Sequence, residues 1–158
     1  MRALSAGELL EVWERGLARS PAQRALLLLA SALRETPVEE LGQLSIGRRD
    51  AHLLSLREEI FGSRFSSLTS CPACGGQLEF ELEASQLRVA PPPPTEDLQI
   101  KLAEHTIEFR LPTSLDVASL DPAAELEANR RELLQSCVRL ARKGATEIAV
   151  TEFAEGEH

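Results

Sequence analysis

Four consecutive prolines, Pro91 to Pro94, constrain this chain more than any other feature. Each proline fixes its own φ and lacks a backbone donor, so the run can be neither helix nor inner strand and reads as a stiff extended spacer. The chain is divided there. Four segments follow: residues 1–64, a helical lobe; 65–90, a hairpin; 91–97, the proline-rich linker; and 98–158, a second hairpin with a C-terminal helix.

Helical periodicity dominates the first segment. Ser5 with Glu8 three residues on is a capping-box pattern, and Leu9, Leu10, Trp13 and Leu17 then form an apolar stripe whose end Gly16 weakens. Ser20-Pro21 opens a second helix, cap followed by proline at the first helical position, which is expected to run to about Thr36-Pro37. Its apolar surface is wide: Leu26, Leu29, Ala30 and Leu33 make one stripe, while Leu27 and Leu28 lie off it. Such a helix is either buried on several sides or offers a face to another chain. A third helix is expected from Ser45 to Gly62, with Ile46, Leu53, Leu56 and Ile60 on one side and Arg48, Arg49, Asp50, His52 and Arg57 on the other flanks. That polar set reads as a solvated, charge-paired surface or as the rim of a contact. The candidate partner-binding residues are therefore Leu26, Leu27, Leu28, Arg48, Arg49, Asp50, His52 and Arg57.

The period then changes from helix to strand. After Cys71-Pro72-Ala73-Cys74-Gly75-Gly76, Leu78, Phe80 and Leu82 alternate with Glu79, Glu81 and Glu83, as in a strand with one wet face and the cysteines at the hairpin tip. Beyond the spacer, Leu98, Ile100 and Leu102, then Ile107, Phe109 and Leu111, give a second hairpin turning near Glu104-His105. Ser114 and Asp116 begin a short helix, and Leu126, Leu133, Leu134, Cys137, Val138 and Ala141 mark one face of a longer helix ending before Gly144. The fold class is α+β: N-terminal helices, small antiparallel hairpins with a Cys-x-x-Cys knuckle, and a C-terminal helix.

Charge and length exclude several partners. With 17 Lys+Arg against 25 Asp+Glu the net charge is −8, and a protein so acidic, with only Lys101 and Lys143 as lysines, is not expected to grip nucleic acid or an anionic membrane. The longest apolar run, Ala25 to Ala30, is far short of the roughly 20 residues a bilayer crossing needs. The acids at Glu8, Glu11 and Glu14 leave no signal-peptide core, so a cytoplasmic location is expected.

Cys71 and Cys74 carry the most chemistry. A Cys-x-x-Cys followed by glycine lets two thiolates converge on one tetrahedral ion as the backbone turns, and zinc is the candidate cofactor. A structural zinc wants four ligands, and no second Cys-x-x-Cys follows. Cys137 falls on an apolar helix face and reads as a small core residue, while His52, His105 and His158 are isolated. The half-site is completed by those residues, by another copy or by a partner, or it is a metal-free remnant. A thiol-disulfide redox pair is the other reading, but the residues after Cys74 are strand-like, so no helix N-terminus lowers a thiol pKa. No phosphate-binding glycine loop, His-Glu-x-x-His helix or Gly-x-Ser-x-Gly elbow occurs. No catalytic residue is assigned, and the protein is expected not to be an enzyme.

Three motifs in order carry a resemblance: Ile46-Gly47-Arg48-Arg49-Asp50 with Leu53-Leu54-x-Leu56-Arg57 and Phe61-Gly62; Cys71-Pro72-Ala73-Cys74-Gly75 with Leu78-Glu79-Phe80; and Phe109-Arg110-Leu111-Pro112-Thr113-Ser114-x-Asp116. From about Ala25 to Val138 the chain resembles the baseplate hub assembly proteins of contractile-tailed phages and related contractile injection systems. The resemblance implies a non-enzymatic chaperone or component of baseplate assembly that works through its surfaces, with baseplate hub or tail proteins as partners and a homo-oligomer as a further option. It carries over to Gly47, Arg49, Asp50, Leu53, Leu54, Leu56, Arg57 and Phe61 on the helix and to Cys71, Cys74 and Gly75 at the knuckle. It also implies a second cysteine pair past the final helix in longer relatives; this sequence reaches Glu157-His158 without one, so it is expected to be a shortened or divergent member. A small zinc-knuckle adaptor is the alternative function, and a thiol-disulfide protein the second alternative.

Overall fold

The computed structural model describes residues 1–89 and 98–150. The chain forms two compact units, Met1–Leu41 with Gly47–Pro91, and Gly42–Ile46 with Pro92–His158. The proline spacer expected at 91–97 lies outside the described residues.

The first unit opens with α1 (Ala6–Gly16) and α2 (Pro21–Ala32). Ser5 and Ser20 each close a complete capping box, with Glu8 and Gln23 reaching back to the cap backbone. Each cap satisfies orphan N–H groups that the first turn would otherwise leave to water. The faces that α1 buries differ from the expected stripe. Val12 and Gly16 are buried, whereas Leu10, Trp13 and Leu17 are 54%, 62% and 62% exposed. The closest approach is at Gly16, where a Cβ would lie 3.2 Å from Arg24 Cγ on α2, and the larger Trp13 is left mostly open to solvent.

Helix α2 stops earlier than expected. Its cap residue Leu33 leaves helical geometry at φ −113° and ψ 61°, and Thr36 N–H donates to Leu33 O in a turn before Pro37. A short helix not read from the sequence, α3 (Val38–Gln43), follows, then α4 (Ile46–Phe61), ended by Gly62 in the left-handed region at φ +83°. Leu4, Ala32 and Leu56 form the core, with Leu9, Leu28 and Ile60 packed on it. Strands β1 (Arg64–Ser70) and β2 (Gln77–Glu83) then pair antiparallel as a two-stranded ribbon, and α5 (Ala84–Leu87) follows. Contrary to the expectation of one wet face, the ribbon is open on both. Leu78 and Phe80 are 49% and 42% exposed, and so is Leu68 on the side that carries Glu79 and Glu81. Within the strands, Phe65, Ser67 and Leu82 are half-buried, and Ala84 just beyond β2 is fully buried.

The second unit is a four-stranded antiparallel sheet in the order β3 (Leu98–Leu102), β4 (His105–Phe109), β5 (Val138–Lys143), β6 (Thr146–Ile148). Two helices, α6 (Ser114–Ser119) and α7 (Leu126–Cys137), connect β4 to β5. The expected hairpin of β3 and β4 is present, with Ala103 at φ 50° in its turn. The last helix is shorter than its pattern suggested. Val138 and Ala141, placed on its apolar face, belong to β5, where Ala141 is fully buried opposite Ile107. Pairing with β4 gives this segment a ladder and a buried partner, and that long-range gain overrides the local helical pattern. The segment Gly42–Ile46 joins this unit through a Ser45–Thr113 bridge and an Ile46 N–H to Pro112 O bond of 3.0 Å.

Candidate functional site

The tip of the β1–β2 ribbon is a knuckle. Cys71 N–H donates to Gly76 O and Gly75 N–H donates back to Cys71 O, both at 2.8 Å, so the loop folds over the cysteine that enters it. Gly75 sits at φ +73°, a left-handed conformation that favours glycine. A Cβ on Gly76 would lie 3.4 Å from Cys74 Sγ, so that glycine leaves the second thiol room. Cys71 Sγ accepts from the backbone N–H groups of Cys74 and Ala73 and interacts with the Cys74 thiol; these donors hold the Cys71 thiol below its ordinary pKa. Cys71 is half-buried, Cys74 is exposed, and neither is in a disulfide. Strand β2, not a helix, follows the pair, so backbone amides of the turn supply the polarisation that a helix N-terminus supplies in thioredoxin-like sites.

Two thiols stabilised by backbone donors suit a soft divalent ion such as zinc, and they fill half of its tetrahedron. Among the described residues, no group of three or more His, Cys, Asp and Glu side chains gathers to complete it. Cys137 is buried at the end of α7, and His52 and His105 are half-buried, His105 within β4. His158 lies outside the described residues.

The candidate partner residues divide by burial. Leu26 is buried, Leu27 is half-buried, and Leu28 packs against the core. Arg48 and Asp50 are exposed; Arg49, its side chain 14% exposed, pairs with Asp50 at 2.7 Å; His52 is half-buried. Arg57 works inside the unit. Its guanidinium lies 3.7 Å from the Phe65 ring centroid and donates to Gly62 O and Arg64 O, tying the end of α4 to the start of β1.

The apolar surface that sequence reasoning missed lies on α1. Between α1 and α2 runs an open groove of about 290 Å³, lined chiefly by Leu9, Val12, Trp13, Leu17 and Leu28, with Arg24 its one charged wall. Trp13 and Leu17 belong to the apolar stripe expected on this helix, with no partner role assigned to them. The signal was available once Val12 is counted, because Leu9, Leu10, Val12, Trp13 and Leu17 then run round about 160° of the helix, wider than a single core-facing stripe.

Comparison with protein families gives one decisive match. Residues 21–157 fit the model of the T4 bacteriophage base plate protein family. The chain belongs to that family. No curated protein and no solved structure matches it. This base plate protein is thus a structural component of a phage baseplate, and all three resemblance motifs fall inside the matched span. Helix α1, with Trp13 and Leu17, precedes that span. Among the described residues no helix is long and apolar enough to cross a membrane.

Proposed function

We propose that this base plate protein is a non-enzymatic assembly factor or hub component of a contractile tail or injection system, acting through contacts with other baseplate or tail proteins in the host cytoplasm. The observation that carries this reading is the exposed apolar strip Leu10, Trp13 and Leu17 beside the α1–α2 groove. A tryptophan 62% exposed on an apolar depression is the kind of anchor that dominates protein interfaces, and Arg24 gives that depression a charged edge. Arg48, Asp50 and His52 on α4 extend the candidate contact surface. Co-expression with a complete tail gene cluster, followed by affinity recovery and mass spectrometry, should return a stable complex with a hub or tail protein. A chain that stays solitary under those conditions refutes the proposal.

Cys71 and Cys74 support a structural zinc in the same protein. The metal would fix the ribbon tip, and the chemistry it supplies is cross-linking of the loop without turnover. The residues contribute the rest: Gly75 gives the turn, and the Ala73 and Cys74 amides stabilise the thiolate. Elemental analysis of the purified protein, with loss of metal in Cys71→Ser, tests it.

A further inference from the structure

The ribbon tip holds two ligands for an ion that wants four, and nothing else among the described residues joins them. We infer that a second copy of this chain completes the site, with Cys71 and Cys74 of two knuckles gripping one zinc ion across a two-fold axis. The inference rests on the zinc reading of the knuckle and names the partner at that site.

Three features favour a second copy. A pair of thiols is half a tetrahedron, so a two-fold axis through the ion supplies the other half with no new residue type; self-complementary interfaces of this kind are the commonest in oligomers. The ribbon has a face to bury beside the metal. Ser67 pairs with Phe80 and Thr69 with Leu78, so Phe80 and Leu78 stand together on one side, both more than two-fifths exposed. Charge is also arranged for it. Glu79 and Glu81 alternate with Leu78 and Phe80 and therefore stand on the opposite face, away from the proposed contact. This placement limits repulsion between two chains of net charge −8.

Proton balance is explicit. Each chain gives up two thiol protons on binding, four per zinc, and the resulting zinc tetrathiolate carries two negative charges. The Ala73 and Cys74 amides that donate to Cys71 Sγ in each copy offset part of that charge.

The test uses the full chain alone, so its outcome is independent of capture of a tail partner. Zinc-loaded protein is measured by light scattering after size exclusion, with elemental analysis of the same fraction. The expected result is a particle of about twice the 17.3 kDa chain, holding roughly one zinc per two chains. A chelator should return it to monomer, and cobalt loading should give the absorption of a tetrahedral tetrathiolate. Cys74→Ser, at an exposed side chain, should abolish the dimer while the circular dichroism is kept, and Phe80→Glu should weaken it with both thiols intact. A zinc-bearing monomer, a protein that takes up no zinc, or a dimer that survives both chelator and Cys74→Ser would each overturn the inference.

Discussion

Arg110 grips Asp116 with both arms of its guanidinium, Nη1 to Oδ2 at 2.6 Å and Nη2 to Oδ1 at 2.7 Å. Asp116 also accepts from Thr113 N–H at 2.7 Å and from the Thr113 hydroxyl at 2.8 Å, so one carboxylate closes the capping box of α6 and holds it to the end of β4. The Phe109-Arg110-Leu111-Pro112-Thr113-Ser114-x-Asp116 motif therefore has a structural reason.

Removing that carboxylate should be expensive. Hydrogen bonds to a charged group contribute about 1.5–3 kcal/mol, and Asp116→Ala would also leave Arg110 without its partner. We expect Asp116→Ala to lose about 2–4 kcal/mol in urea denaturation. The isosteric Asp116→Asn, which keeps an acceptor for the cap, should lose less. Equal losses in the two variants would show that the cap acceptor adds nothing and that the whole loss belongs to the ion pair.

The same group sets a pH dependence. Arg110 first, then the Thr113 N–H and hydroxyl, hold the Asp116 carboxyl well below the usual carboxylate range. A carboxyl whose folded pKa is depressed adds stability that is fully present above its unfolded pKa, about 3.9, and that stability is lost as pH falls below this toward the folded value. Glu8 is lowered in the same sense, chiefly by Arg2 and then by Ser5. Thermal melts between neutral pH and strong acid should therefore show a decline beginning below about pH 5. The difference between wild type and Asp116→Asn should shrink across that window. A gap that stays constant through strong acid would mean the carboxylate is not the titrating group.

Arg57 and Phe65 give a second mechanical prediction. Arg57→Lys keeps the charge but loses the planar stack and the geometry of two donors to Gly62 O and Arg64 O. A loss of about 1–2 kcal/mol is expected. Hydrogen exchange should report it as faster exchange of β1 and β2 amides, with the β4 and β5 amides unchanged.

Legibility in the sequence followed the range of the forces involved. Ser5 with Glu8 and Ser20 with Pro21 are local, and the helix starts they announce are present. The Leu78-to-Glu83 alternation is local too, and it gave the ribbon with the cysteines at its tip. Long-range choices were invisible. Val138 and Ala141 fit a helix until β4 offers them a ladder, and which part of the Leu9-to-Leu17 stripe is covered depends on how closely α2 approaches at Gly16. Arg57 read as a surface charge because its three partners come from the turn and strand after the helix. At the candidate site the two cysteines were plain from spacing, but the amide donors to Cys71 depend on how the turn closes.

That closure makes Gly75 testable. Nothing lies within 4 Å of where a Cβ would stand, so Gly75→Ala meets no clash and pays only for φ +73°. A left-handed conformation costs an ordinary residue about 1–2 kcal/mol, and less for Asn. Gly75→Ala should destabilise the ribbon by about 1 kcal/mol or more, Gly75→Asn by clearly less, and metal affinity should fall in the same order. A Gly75→Ala protein as stable as Gly75→Asn would show that the turn has another conformation available.

The proposed docking surface and the core are separable by stability. Leu29 is fully buried, and Leu29→Ala should cost about 2–5 kcal/mol. Trp13 and Leu17, each 62% exposed, leave little contact to lose, so Trp13→Glu and Leu17→Ser should change unfolding free energy by no more than about 0.5 kcal/mol. Recovery of tail partners should nevertheless drop at least about tenfold with Trp13→Glu, as a central aromatic anchor would require. A charge placed in the apolar groove offers an incoming apolar side chain no counterpart, which sharpens the loss beyond truncation to alanine. If Trp13→Glu unfolds the chain instead, the indole is holding α1 to α2 and belongs to the core; if it leaves both folding and recovery untouched, the contact surface lies elsewhere, with Arg48, Asp50 and His52 on α4 the next residues to alter.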